Sequence, residues 1–340
     1  MTKKICIVYT GGTIGMKRSD KGYETAPGFL KEYLSAHPAV NHPEVPDLHF
    51  IEYDPLIDSA NMTPDHWNAL AKTIQLEYDK FDGFVVLHGT DTMAYTASVL
   101  SFMLEHLSKP VIITGSQIPI GEIRSDAIKN LMGAITIAAH YTIPEVCIFF
   151  DTYLFRGNRA KKVDATGFGA FKSPNFPALA RVGVNIDVRS KLVLPMPEQP
   201  LSIVFIKPCD IAILRLYPGI QESSIAKIIT QPVKAVVLET FGLGNIPNDN
   251  QALFDLFRQA TEQGILLINV SQCVRAKVNM NAYATAHDLK VARVLSGHDM
   301  TIEAVIGKLY YLLSQKLSMD ELRARFEYDL RGEMEAMVCG

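Results

Sequence analysis

Two hydroxyl-bearing turns dominate the chemistry available to this chain: Thr10-Gly11-Gly12-Thr13-Ile14-Gly15 and, about 75 residues later, His88-Gly89-Thr90-Asp91-Thr92. Each directly follows a strand-like apolar run, residues 5–9 and 84–87. In open α/β sheets, ligands bind beyond the carboxyl ends of the strands. Threonines placed there can serve as a nucleophile and its helpers, which points to a hydrolase.

Other readings of the same residues remain. Gly11, Gly12 and Gly15 have neither the G-x-G-x-x-G spacing of a dinucleotide site nor that of a phosphate-binding loop, so nucleotide binding is disfavoured. The glycines can also serve only to permit a positive-φ turn. Asp91 or Thr92 can cap a following helix, and the free N–H groups of that helix end would suit an anionic substrate group. His88 reads as an end-of-strand residue rather than a base. In the basic run Arg156-Gly157-Asn158-Arg159-Ala160-Lys161-Lys162, solvated charge is the usual fate. A lysine drawn into the site could instead act on a threonine hydroxyl, with desolvation favouring its neutral form and Asp91 opposing that. Asp58-Ser59 can hold a carboxylate through the serine hydroxyl, or can be an Asx or Ser turn. None of the nine histidines has metal-ligand spacing, so no metal and no cofactor are expected.

Composition narrows the class. A chain of 340 residues, 48% of them hydrophobic, is long enough for two cores. The balance of 33 basic against 36 acidic residues, with no long run of either sign, gives no footprint for nucleic acid or a membrane surface. Five scattered cysteines (Cys6, Cys147, Cys209, Cys273, Cys339) fit no disulfide framework and suggest a reducing compartment. Lys3 and Lys4 precede an apolar run far shorter than that of a signal peptide, so a cytoplasmic location is expected.

The elements that must position these residues repeat one pattern: apolar run, small-residue turn, helix. Residues 5–9, 84–87, 111–113 and 146–150 read as parallel strands with crossover helices. The expected fold class is α/β, with a doubly wound, flavodoxin-like N-terminal parallel-sheet domain and a smaller C-terminal α/β domain. A helix is expected from Thr92 to about Leu107, apolar almost all round and therefore covered. Another starts at Thr63-Pro64-Asp65. Recurrent prolines between residues 171 and 208 place a boundary there, giving domains 1–190 and 211–340 with a linker over 191–210. Beyond it, residues 211–216, 235–238 and 265–270 read as buried strands. Ser318 and Glu321 form a capping box for a helix reaching about Tyr328.

The segments Tyr9 to Gly15 and Leu87 to Met93, with Lys162 after Arg156-Gly157-Asn158-Arg159, resemble the bacterial-type L-asparaginases. The resemblance extends through Thr114-Gly115-Ser116-Gln117, Gly242-Leu243-Gly244-Asn245 and Lys277-Val278-Asn279-Met280, and is greatest to the cytosolic type I branch. It implies hydrolysis of L-asparagine to L-aspartate and ammonia through a β-aspartyl ester on Thr13, with Tyr23 on a flexible loop closing over it. Thr90, Lys162 and Asp91 would relay protons, and in some proposals the second threonine attacks. Gly12, Asp58, Ser59, Gly89, Thr90, Asp91 and Ser116 would bind substrate, Asp91 taking the α-ammonium and Ser59 the α-carboxylate. Donors near Thr90 and Ser116 would stabilise the oxyanion. The resemblance also implies a homo-oligomer, dimers pairing into tetramers, with Asn245 reaching a neighbour's site. Some cytosolic members bind asparagine at a second site through an arginine just before the Gly-x-Gly-Asn turn, where this chain has Glu239-Thr240-Phe241. The alternatives are a related amidohydrolase acting on glutamine or peptide-linked asparagine, and a non-catalytic amino-acid sensor on the same fold.

Overall fold

The apolar runs of the first half form β1 (Lys4–Gly11), β2 (Asp47–Ile57), β3 (Gly83–Leu87), β4 (Val111–Thr114) and β5 (Val146–Phe150). Every residue of β3, β4 and β5 is buried, as in a parallel sheet covered on both faces. The computed structural model describes residues 2–20, 22–247, 249–280 and 284–335, without the side chains of 284–287. Two units divide it, Met1–Phe205 and Ile206–Gly340. Ser202–Ile203 pairs antiparallel with Leu104–Glu105.

In the first unit the parallel strands run in the order β2-β1-β3-β4-β5. This is the flavodoxin-like winding, and its switch point lies between β1 and β3. The sheet then continues antiparallel through β6 (Tyr153–Arg156), β7 (Ala180–Val182) and β8 (Ile186–Val188). After Phe150, Asp151, at φ 57, turns the chain straight back into β6 rather than into a crossover helix. Helices α1 (Phe29–Ala36), α2 (Pro64–Glu77), α3 (Met93–Met103) and α4 (Ala127–His140) complete the unit. Trp67 and Leu70 of α2 face inward. α3 is buried nearly all round, as expected, but ends at Met103 rather than Leu107. Leu104 and Glu105 leave the helix to pair with residues 202–203.

Register positions the site. Tyr9 lies opposite Leu87, and Leu87 opposite Thr114, so the turns after β1, β3 and β4 emerge side by side. The Thr10 hydroxyl donates to the Leu87 carbonyl at 2.9 Å and fixes the first two ends together.

The second unit is a parallel sheet in sequential order, β9 (Ile211–Arg215), β10 (Ala235–Thr240), β11 (Leu266–Ser271) and β12 (Leu295–Ser296). Its helices are α5 (Glu222–Ile228), α6 (Gln251–Glu262), α7 (Ala284–Val291), α8 (Ile302–Leu313) and α9 (Met319–Phe326). The Ser318–Glu321 capping box is formed, but α9 stops at Phe326. Cys6, Cys147, Cys209 and Cys273 are free thiols, and Cys339 lies outside the described residues. Among the described residues no helix is long and apolar enough to cross a membrane.

Candidate active site

The site grows from the contact between the turns after β1 and β3. Gly12, at φ 89, lies with its backbone directly against that of Gly89. On the other side of Gly89 stands the buried Ser59 side chain. Thr13 follows Gly12 and opens the short helical turn Thr13–Gly15. Its half-buried hydroxyl makes no hydrogen bond among the described residues, and neither does that of Ser59.

Asp58 forms an Asx turn, its Oδ1 accepting from the Ala60 N–H at 3.1 Å. Its carboxylate is exposed. The Thr92 hydroxyl donates to the Ser59 carbonyl at 2.7 Å and ties this turn to the start of α3. Neither Asp91 nor Thr92 caps α3, contrary to the capping alternative: the Thr92 hydroxyl is spent on Ser59, and Asp91 turns to a lysine. The Thr90 N–H, just before the helix, has no acceptor among the described residues.

That lysine is Lys162, which donates to Thr90 Oγ1 at 2.8 Å and to Asp91 Oδ1 at 2.7 Å. It comes from the short strand Lys161–Lys162, paired antiparallel with Phe171–Lys172. The Lys162 side chain is 19% exposed and that of Asp91 66%. Asp91 Oδ2 makes no hydrogen bond among the described residues. The two arginines of the basic run are not solvated: Arg156 and Arg159 are buried. Arg156 pairs with Glu145 at 2.6 Å, and both guanidinium groups lie over the Phe176 ring. A distant carboxylate and a π-face supply what water would otherwise give.

Beneath the Gly89 turn runs a polar chain. The Trp67 indole N–H donates to Thr96 Oγ1 at 2.9 Å; Thr96 Oγ1 lies 2.9 Å from His88 Nε2, and His88 Nδ1 lies 2.7 Å from the Gly89 carbonyl. The indole can only donate and the carbonyl can only accept. A neutral His88, protonated on Nδ1, satisfies every partner. Burial pushes its imidazole down to about 4, against the small opposing effect of the Gly89 hydrogen bond.

Residues 4–194 match the family model described as Asparaginase, N-terminal, and residues 210–326 match that of the Glutaminase/Asparaginase C-terminal domain. The chain belongs to the asparaginase family. It is 48% identical over 332 residues to L-asparaginase 1 of Escherichia coli (strain K12), a match covering 98% of each chain. The crystal structure of L-asparaginase I from Vibrio cholerae O1 biovar eltor str. N16961 superposes with a TM-score of 0.93 at 48% identity, covering 98% of this chain and 100% of that one. The thermostable L-asparaginase from Thermococcus kodakarensis superposes at 0.89 with 28% identity, over 98% and 99% of the two chains.

In this asparaginase-family chain the remaining expected site residues lie on other elements. Tyr23, expected on a flexible loop, is on an antiparallel hairpin, Met16–Ser19 with Gly22–Thr25; it is 48% exposed, and its hydroxyl makes no hydrogen bond among the described residues. The Ser116 hydroxyl is committed to its own turn, donating to the Ile118 carbonyl at 2.7 Å. Asn245 belongs to the second unit, bridged to Phe241. Glu239, also in that unit, accepts from Arg215 at 3.2 Å, so its charge is already paired. Conversely, the sequence reading missed Gln117, whose amide touches Thr90. The signal was present: Thr114-Gly115-Ser116-Gln117 ends a strand that must neighbour the one ending at His88.

Proposed function

We propose that the chain is an L-asparaginase that hydrolyses L-asparagine to L-aspartate and ammonia. The observation that carries the proposal is the Lys162 ammonium seated between the Thr90 hydroxyl and the Asp91 carboxylate, next to a turn whose Thr13 hydroxyl is unengaged. The high identity to L-asparaginase 1 over nearly the whole chain supports the substrate class.

The Asp91 Oδ2 atom would take the substrate α-ammonium, a charge-assisted contact, and Ser59 the α-carboxylate. This places the side-chain amide toward the Thr13 and Thr90 turns. The Thr13 oxygen adds to the amide carbon, and its proton passes to the leaving nitrogen. The C–N bond breaks, ammonia departs, and a β-aspartyl ester remains. Water then adds to the ester carbon, its proton returns to the Thr13 oxygen, and aspartate leaves. Thr90, held by Lys162, relays protons in both halves. The free Thr90 N–H is the donor for the oxyanion, a contribution of about 3 kcal/mol for a well-placed group. Tyr23 closes over Thr13 when substrate is bound. The enzyme works in the cytoplasm as a homo-oligomer, a dimer or pair of dimers, with Asn245 reaching a neighbouring site.

A sensor on this fold needs Asp91 and Ser59 to hold an amino acid but has no use for a lysine aimed at a hydroxyl. Ammonia release from free asparagine, free glutamine and short asparagine peptides tests the proposal. Release is expected to be fastest from free asparagine. Preference for glutamine or for peptides would replace the substrate, and release from none of them would overturn the enzymatic reading.

A further inference from the structure

Two buried polar atoms of the first unit, the Tyr9 hydroxyl and Glu52 Oε2, have no hydrogen-bond partner among the described residues. Buried groups of this kind are nearly always paired, so each needs an explanation. Tyr9 and Glu52 are register partners on β1 and β2. Phe50, two residues before Glu52 and therefore on the same face of β2, sets its ring 6.2 Å from that of Tyr9. Glu52 thus shares a face with the phenol. Burial, with the Glu52 charge as the second cause, pushes the phenol far above its ordinary range, so Tyr9 keeps its proton. A donor and an ionic acceptor are both left unspent.

Each belongs to a different part of the site. Tyr9 stands immediately before the Thr10-Gly11-Gly12-Thr13 turn, and its hydroxyl packs so closely on Gly15 that a Cβ there would lie 2.1 Å away. Glu52 holds the base of the hairpin that carries Tyr23: its Oε1 accepts from the Gly28 N–H at 2.6 Å. Gly28, at φ 77, ends the short connection from that hairpin and opens α1. The Lys17 ammonium lies 4.2 Å over the Phe29 ring, which fastens the hairpin to the first turn of the helix.

We infer that Glu52 and Tyr9 are positioning residues that form a latch between the Tyr23 hairpin and the Thr13 turn. Movement of the hairpin over the site, passed through Gly28 to the carboxylate, brings Oε2 to the phenol. The O–H···O⁻ bond then made holds Tyr23 and Thr13 in one arrangement. The resting state lacks this bond and the closed state gains it, so it favours closure without stabilising the resting fold. The inference rests on the asparaginase reading above.

Tyr9→Phe isolates the latch, because it deletes one oxygen that has no partner at rest. Its thermal midpoint is expected to equal or exceed that of the wild type, since an unpartnered buried hydroxyl is removed. Its kcat/KM for asparagine is expected to fall about tenfold or more, the loss that a hydrogen bond to a charged group carries. Limited trypsin digestion reads the hairpin itself through the exposed Lys17 and Arg18. Saturating L-aspartate is expected to slow cleavage there in the wild type and much less in Tyr9→Phe, with equal rates in the unliganded proteins. Glu52→Gln leaves an amide oxygen for Gly28 but no anion for the phenol. It should match Tyr9→Phe, the double variant should be no worse than either, and it carries the test if Tyr9→Phe does not fold. Unchanged kcat/KM, unchanged protection by aspartate, or additive losses in the double variant overturn the inference. A lowered thermal midpoint alongside the loss of activity means that Tyr9 only supports the core and overturns it as well. Absence of ammonia release by the wild type removes the asparaginase reading and the latch together; a normal wild type with an indifferent Tyr9→Phe removes the latch alone.

Discussion

Gly12 and Gly89 touch backbone to backbone: a Cβ added to Gly12 would lie 2.3 Å from the Gly89 nitrogen and 2.4 Å from its Cα. The two strand-end turns come this close because neither carries a side chain at the contact, and Gly12 at φ 89 occupies a region that L side chains avoid. Gly12→Ala must push the turns apart, and a misplacement of about 1 Å is enough to cost roughly 100-fold. Steady-state kinetics should show at least that loss in kcat/KM. Wild-type turnover in the alanine variant would mean that the contact does not set the geometry.

Thr13→Val and Thr90→Val each remove a hydroxyl at nearly constant volume. Both variants are expected to fold, with kcat reduced at least ~100-fold, the low end for a nucleophilic or proton-transfer role. Circular dichroism and a continuous ammonia assay measure the two quantities. Near-full turnover in either variant would release that threonine from its assigned role.

Adjacent lysines provide an internal control. Lys162→Met removes both the 2.8 Å contact to Thr90 and the 2.7 Å contact to Asp91, and should reduce turnover far more than Lys161→Met. Asp91→Asn should raise KM as well as lower kcat, because it deletes the counter-charge offered to an α-ammonium group. Equal effects at the two lysines, or an unchanged KM at position 91, would refute the respective assignments.

The depressed imidazole of His88 makes a prediction about acid stability. In the unfolded chain a histidine takes up a proton below its ordinary value of 6.5, whereas folded His88 does so only near 4. Between those values the unfolded state binds more protons, so this contribution is fully present above pH 6.5 and is lost as the pH falls toward 4. Its size is on the order of 3 kcal/mol. Urea unfolding of His88→Gln, which keeps a donor and an acceptor but does not titrate in this range, should show a flatter dependence from pH 6.5 to 4. Parallel pH curves for the two proteins would place the titration elsewhere.

Residue type at a strand end is enough to single out Thr13, Thr90 and Asp91 in the sequence, and the structure brings Lys162 to the last two. Alternating apolar runs and turns were also enough to place the parallel strands and the buried α3. What was illegible depends on partners distant in sequence. Arg156 and Arg159 looked solvated because nothing near them reveals Glu145 or Phe176. The early end of α3 is set by a pairing with residues nearly a hundred positions later. Gln117 was passed over because an amide carries no intrinsic catalytic signature; its contact with the site is visible only when Thr90 and Gly167 are seen on either side of it. Ser116, chosen by type, spends its hydroxyl within its own turn.

Trp67 is the single tryptophan of the chain, and its indole N–H begins the path through Thr96 and His88 to the Gly89 carbonyl. Its fluorescence is therefore wired to the turn that carries Thr90 and Asp91, with no competing emitter of the same kind. A ligand that shifts this turn alters the polarity at the indole and hence the emission wavelength and intensity. The indole emission is thus expected to report occupancy of the site without a label, which a titration of the unmodified protein with L-aspartate checks.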